Sequence, residues 1–211
     1  MNRVAIVLCS AVLAGILLWF YPLFHIVRLD VPDSANVTSE LNTKEFVSTF
    51  WEQKIAPSLA TAPEAKELIF ALRNNPQTAL KQYGRKMGVS RTTLFLMQGK
   101  GTVVSSDNKG VGLALEDASE QPDILLRTSL LFGNTVRDAT GLLDANQFQD
   151  SRQFNEVSAE LNQLVEMRVI STLKQNAVKG QRIHFAGCVE IADQEKFEFP
   201  LSIIPLQFRI E

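Results

Sequence analysis

One long amphipathic run stands between two groups of strand-like segments, and any fold for this chain has to bury its single apolar face. Phe154, Val157, Leu161, Leu164, Val165, Arg168, Val169, Thr172 and Leu173 recur at a period near 3.6, with the Arg168 methylenes along the same stripe, which predicts a helix over 152–175. Ahead of it, Gly133-Asn-Thr-Val-Arg137-Asp138-Ala139 reads as an ordered turn. Glycine supplies free dihedrals there, and Asn, Thr and Asp bond neighbouring amides.

The strands on either side follow a period of two. Thr92 to Ser105 is a long strand in which Gly99 and Gly101 suggest a bulge or sharp coil. Asp107-Asn-Lys-Gly110 makes a hairpin turn, followed by strands over 111–116 and 122–131. After the helix come 182–191 and a last strand on which Ile204, Leu206, Phe208 and Ile210 alternate. Three strands, a helix and two strands, with a glycine-coiled first strand, is the order of the OB-fold, a five-stranded Greek-key barrel whose mouth the helix plugs. Upstream, Asn42 with Glu45, Thr61 with Glu64, and Asn75-Pro76 closed by Gly84 mark three short helices, the first ending before Pro57. The expected class is α+β: short helices over 43–90 packed on an OB-like barrel over 91–211.

At the other end, Val4 to Phe24 is 21 uncharged residues, about the ~30 Å of a bilayer core at helical rise. Bulky Trp19-Phe20-Tyr21-Pro22 replaces the small residues of a cleavage site, and Cys9 follows Leu8 where a lipidated signal has a small residue. Residues 1–28 therefore read as an uncleaved transmembrane anchor and 29–42 as a polar linker. Arg3 and the α-amine, against an Arg28 hemmed by Asp30 and Asp33, favour the N-terminus inside and the remainder outside the cytoplasm. The whole chain carries a net charge of −2 and the part after the anchor −4, since Arg3 and Arg28 precede it and no carboxylate does. That sign argues against a nucleic-acid binder.

The chemistry-bearing residues are sparse. There is no phosphate loop, nucleophile elbow or metal-binding helix motif, and with only His25 and His184, and Cys9 and Cys188 far apart, no metal, cofactor or disulfide is expected. Four residues are candidates for ligand contact, each with a structural alternative. Arg137 and Asp138 could clamp a ligand or tie their loop to nearby backbone. Asn162 could contact a ligand or seat the helix as a buried polar group. Trp51 could stack on a ligand or anchor the core beside Phe50. No catalytic residue stands out, although the acidic residues leave open an enzyme acting on envelope glycans through paired carboxylates.

Phe50-Trp51 with Pro57, Tyr83-Gly84-Arg85, the Gly99–Val104 strand, the Gly133–Ala139 run, Phe148, and Phe154-x-x-Val157-x-x-x-Leu161-Asn162 resemble the domain of unknown function 2291 family, bacterial predicted periplasmic lipoproteins, over about Thr43 to Arg209. The chain departs from the family pattern at Thr128-Ser129 and Asp150-Ser151. The resemblance implies no activity. It implies a transport-linked accessory role beside sugar ABC-transporter components, so the expected partners are the inner membrane and either such components or a small solute.

Overall fold

The computed structural model describes residues 42–86, 92–116, 119–192 and 197–211. Its architecture is set by one strand that is too long for one neighbour. β2 (Thr93–Ser106) pairs antiparallel with β5 (Arg182–Ile191) from Thr93 to Thr102. It then pairs with β3 (Gly110–Ala114) from Thr102 onward. β4 (Ile124–Arg127) continues from β3 and runs parallel to β6 (Leu201–Ile210), which returns antiparallel to β5. The ring β2-β3-β4-β6-β5-β2 is closed, so the expected five-strand barrel and its strand order are present. Closure leaves none of the five with a wholly unpaired edge. A two-residue β1 (Arg85–Lys86) adds to β2 outside the ring.

Three local expectations change. The register shift in β2 falls between Val103 and Ser105, not at Gly99 or Gly101. Those glycines instead allow close approach, because a Cβ on Gly99 would stand 3.2 Å from the Ala65 Cβ and one on Gly101 2.9 Å from the Ala114 carbonyl oxygen. In β6 a bulge opposite Ala186 and Gly187, beside Pro205, which has no N–H for the ladder, splits the expected single stripe. Ile204 and Leu206 then face outward into a helical layer, while Phe208 and Ile210 pack on the barrel core. Gly133–Ala139 is not a turn alone, since Thr135–Ala139 forms a short helix, α5.

The first helical unit also runs further than its proline suggests. α1 (Thr43–Phe50), capped by Asn42 accepting from the Glu45 amide at 3.4 Å, passes through a π-turn (Trp51–Ile55) into α2 (Ala56–Leu59). Pro57 is tolerated because it falls in the first turn after the π-turn, where a missing N–H does least harm. α3 (Ala65–Asn74) starts without a Thr61 cap. Gln98 of β2 holds the preceding loop, donating from Nε2 to the Ala60 and Ala62 carbonyls at 3.1 and 3.0 Å. α4 (Pro76–Tyr83) is capped by Asn75 as its sequence suggests.

The molecule has two apolar layers. Ala65, Leu68 and Leu72 of α3 and Leu80 of α4 close one end of the barrel over Phe95, Met97, Ile124 and Ile203. The second layer lies outside, where α1, α5 and α6 (Ser151–Val165) cover Ala186 and Cys188 of β5 and Ile204 and Leu206 of β6. The long helix continues through a π-turn (Glu166–Ile170) into α7 (Ser171–Asn176). Only its end, Leu173 with Ala177, enters the barrel core, whereas Leu161 and Leu164 belong to the outer layer. The plug is the last turn, not the whole helix. The extra residue of the π-turn also rotates the stripe, so Ile170 is buried while Arg168 and Thr172 face solvent.

Residues Leu41–Glu211 form one compact unit. Among the described residues no helix is long and apolar enough to cross a membrane; the anchor read over 1–28 lies outside them, as does nearly all of the linker.

Candidate functional site

The four residues singled out in the sequence sit in or beside the outer apolar layer. Arg137, 6% exposed, forks onto its neighbour Asp138, Nε to Oδ1 at 2.6 Å and Nη2 to Oδ2 at 3.1 Å. Its Nη1 donates to the Ser158 hydroxyl at 2.9 Å, and its guanidinium lies 3.7 Å above the Phe154 ring centroid. Phe154 continues an aromatic chain through Phe148 and Phe46 to Phe50, with centroids 5.2, 5.7 and 5.9 Å apart. Asn162 donates to the Gly133 carbonyl at 3.0 Å, which fixes the loop on which α5 begins. Trp51 is buried in the same layer. Arg137 and Asp138 are thus brought together with Ser158 and Phe154 where α5, α6 and α1 are joined, and Ser158 and Asn162 also line a shallow pocket of about 380 Å³ beside Gly133.

Asp150, one of the departures from the family pattern, caps α6 by accepting from the Gln153 amide at 2.8 Å. Cys188 is enclosed under the helical layer, and burial pushes its thiol up to about 12, so it stays protonated and unreactive. His184, two strand pairs away on the same face, is not its partner; it contacts the Glu211 carboxylate.

A roomier concavity lies elsewhere. A cleft of about 930 Å³ opens between α3 and the β3–β4 and β5–β6 connections, at the barrel end that α3 closes. Phe70, 70% exposed, Tyr83, Phe199 and Pro122 supply apolar faces, and Arg73, Asp123, Lys66 and Glu116 the polar ones. Arg73 lies 4.5 Å over the Phe199 ring and donates from Nη2 to Asp123 Oδ1 at 2.9 Å. Asp123 Oδ2 accepts from the Leu115 amide at 3.0 Å, so the pair is held at the cleft wall from two sides. Lys66 and Glu116 form a second, looser pair at 3.5 Å. Apolar walls with a few oriented polar groups are the usual make-up of a small-molecule site.

Sequence reasoning missed this cleft because its residues come from five separated segments. One signal was present. Leu68, Ile69 and Leu72 are the buried stripe of α3, and Phe70 is an aromatic residue standing out of phase on the polar face.

Comparison with known proteins bears on the whole arrangement. A family described as predicted periplasmic lipoprotein, DUF2291, matches residues 14–209. The chain belongs to this family. The DUF2291 chain is also similar to a crystal structure of an OB-fold protein from Thermotoga maritima, with 25% sequence identity and a TM-score of 0.72 over 81% of this chain and 98% of that one. No curated protein matches the sequence. The barrel ring described above is therefore that of an OB-fold, in a DUF2291 protein of the predicted periplasmic lipoprotein type.

Proposed function

We propose that this is a periplasmic binding module that takes a small hydroxylated solute of the sugar class in the cleft between α3 and the barrel end. The observation that carries this reading is the combination of an exposed Phe70 ring and a fixed Arg73–Asp123 pair in one cleft of about 930 Å³. Sugar rings offer apolar faces that pack on aromatic side chains, and their hydroxyls both donate and accept, which a carboxylate and guanidinium side by side satisfy. Of the three carboxylates lining the cleft, Glu67, Glu116 and Asp123, the last two are each engaged by a cation, an arrangement suited to holding hydroxyls. Such a module fits beside the sugar ABC-transporter components that the family resemblance points to.

Thermal melts of the full-length chain against a panel of mono- and disaccharides test the reading. A ligand should raise the melting temperature. Phe70→Ala, which removes an exposed ring and should change unliganded stability by less than ~0.5 kcal/mol, should weaken binding roughly tenfold through loss of the stacking face. A panel without a single shift, or a shift that Phe70→Ala leaves intact, overturns it.

We also propose that residues 1–28 hold the module to the inner membrane as an uncleaved single-pass anchor, with the barrel in the periplasm. This rests on the uncharged Val4–Phe24 run and on Leu8 before Cys9. The chain should then stay in the membrane fraction through carbonate washing. Recovery of a soluble form that starts within 29–42 excludes the anchor.

A further inference from the structure

The helical layer covers only part of the outward face of β5 and β6, and the uncovered part carries a row of basic side chains. Lys100 of β2, His184 of β5 and Arg209 of β6 are directly opposite one another in register. In the next row Arg182 stands opposite Thr102 and bonds through its carbonyl to the Glu211 amide at 3.0 Å. Lys100, Arg182 and Arg209 bring three cations onto one sheet face around the His184 ring, where a nearby carboxylate offsets their mutual repulsion. The Glu211 side chain supplies counter-charge here. The Glu211 carboxylate accepts from Lys100 Nζ at 3.2 Å, lies 3.6 Å from Arg182 Nε and contacts His184 Nε2. The hydrogen bonds from His184 and Lys100 hold its carboxyl below the usual carboxylate range. Arg209 has no carboxylate in ion-pair reach among the described residues.

This row edges a groove of about 650 Å³ whose floor includes Gly99, Phe185 and Gln207 and whose far wall is Glu64, Lys66 and Glu116. The Glu211 carboxylate therefore sits among Lys100, Arg182 and the His184 ring at the end of an open groove, with Arg209 beside them. We propose that this row is a binding site for an oxyanion, a carboxylate or phosphate group on a small ligand, and that the Glu211 side chain occupies it until the ligand displaces it. The geometry is that of a charge-assisted site: Lys100 supplies a mobile point charge, Arg182 and Arg209 supply planar donors, and His184 supplies a ring N–H between them. The exchange of one carboxylate for another anion costs the row little, because the cations remain paired throughout. The site is distinct from the cleft beside α3, although Lys66, Leu115 and Glu116 line both. A ligand with an apolar or sugar body in the cleft would have the cationic row within the adjoining groove.

The chain has only two histidines, His25 and His184, so histidine-selective carbon-13 labelling of the full-length protein gives two imidazole signals, and His184→Gln assigns them. Inorganic phosphate and, in a parallel arm, succinate are titrated at an ionic strength fixed with chloride. The His184 signal should move saturably; a response to phosphate alone marks the site as a phosphate reader, and a response to both marks it as a general oxyanion site. Glu211→Gln removes the internal competitor and should tighten phosphate binding about threefold to fivefold, the scale of an exposed charge pair. Lys100→Ala with Arg209→Ala should weaken it roughly tenfold. Phe70→Ala, which alters only the cleft, should leave phosphate binding unchanged, so failure of the sugar reading and failure of this one are separable. The proposal is overturned by a His184 signal that follows ionic strength alone in wild type, or by a folded Glu211→Gln chain that binds phosphate no more tightly than wild type.

Discussion

Leu161→Ala is expected to destabilise the chain by about 2 to 5 kcal/mol, the transfer and cavity cost of deleting a fully buried leucine, which is roughly a 10 °C loss in melting temperature for a chain of this size. Leu161 is 0% exposed and lies in the layer between α1 and the outward face of β5 and β6, where the relatively flat barrel surface cannot close over a void. Leu173→Ala should cost as much for a different reason, since Leu173 is the plug residue at the barrel interior. The two are twelve residues apart on one helix, about 18 Å by helical rise, and serve separate cores. Their effects should add to within ~0.5 kcal/mol in the double variant. Lys174→Ala, on the solvent side beside the plug, should cost less than ~0.5 kcal/mol. Urea melts of the four variants decide the matter. Strong non-additivity between Leu161 and Leu173 would mean that the layers are one core, and equal small losses would mean that the helix is not docked on either.

Most strands were legible because their signal is local, although the one expected over 122–131 spans only Ile124–Arg127. Arg182–Ile191 has the same bounds in the structure as in the alternation of its sequence, and β2 differs by one residue at each end. The strand order followed once the helix was placed, since an interruption after the third strand with two strands to come leaves few barrel threadings. The turns of the long helix were less legible. A straight helix at 3.6 residues per turn puts Arg168 and Thr172 on the buried stripe, and the π-turn at Glu166–Ile170 inserts one residue that moves them off it. Nothing in the run Glu166-Met-Arg-Val-Ile170 announces a π-turn, because the adjustment serves two cores that the sequence does not show as separate. The same holds for Pro57, whose position after a π-turn turns a helix stop into a helix start.

The sites divide along the same line. Arg137, Asp138 and Asn162 attracted notice because polar residues beside a long apolar stripe are conspicuous in sequence, and the structure gives each a partner inside the fold. The cleft around Phe70 and the cationic row at Lys100, His184 and Arg209 depend on register between segments over a hundred residues apart, as Lys100 and Arg209 are. Only pairing fixes register, and a one-residue slip in β5 or β6 would send these side chains to the opposite face. The two proposed sites were therefore hidden in the long-range pairing, while the polar residues most visible in sequence find their partners among the helices and loops packed on the barrel.

Arg137→Ala should be among the most damaging single changes outside the two cores, with a loss of about 3 kcal/mol or more. Removing the guanidinium leaves the Asp138 carboxylate, whose side chain is 16% exposed, without its cation, strips the Ser158 hydroxyl of its donor and uncovers one face of Phe154. The aromatic chain from Phe154 to Phe50 carries that disturbance towards α1. Arg137→Lys keeps the charge but not the fork or the flat face, and should fall between wild type and alanine. Asp138→Ala should also destabilise, because it leaves a buried guanidinium with only a hydroxyl and a ring for partners. The double variant Arg137→Ala, Asp138→Ala should lose less than the sum of the two, since each single change already forfeits the pair and the double one removes the stranded charge. Melts of the purified single and double variants measure this coupling directly. Unchanged melting temperatures in all of them, together with lost saccharide or phosphate binding, would instead make the pair a ligand clamp, and would move the proposed functional site from the barrel end and its bare face to the junction of α5 and α6.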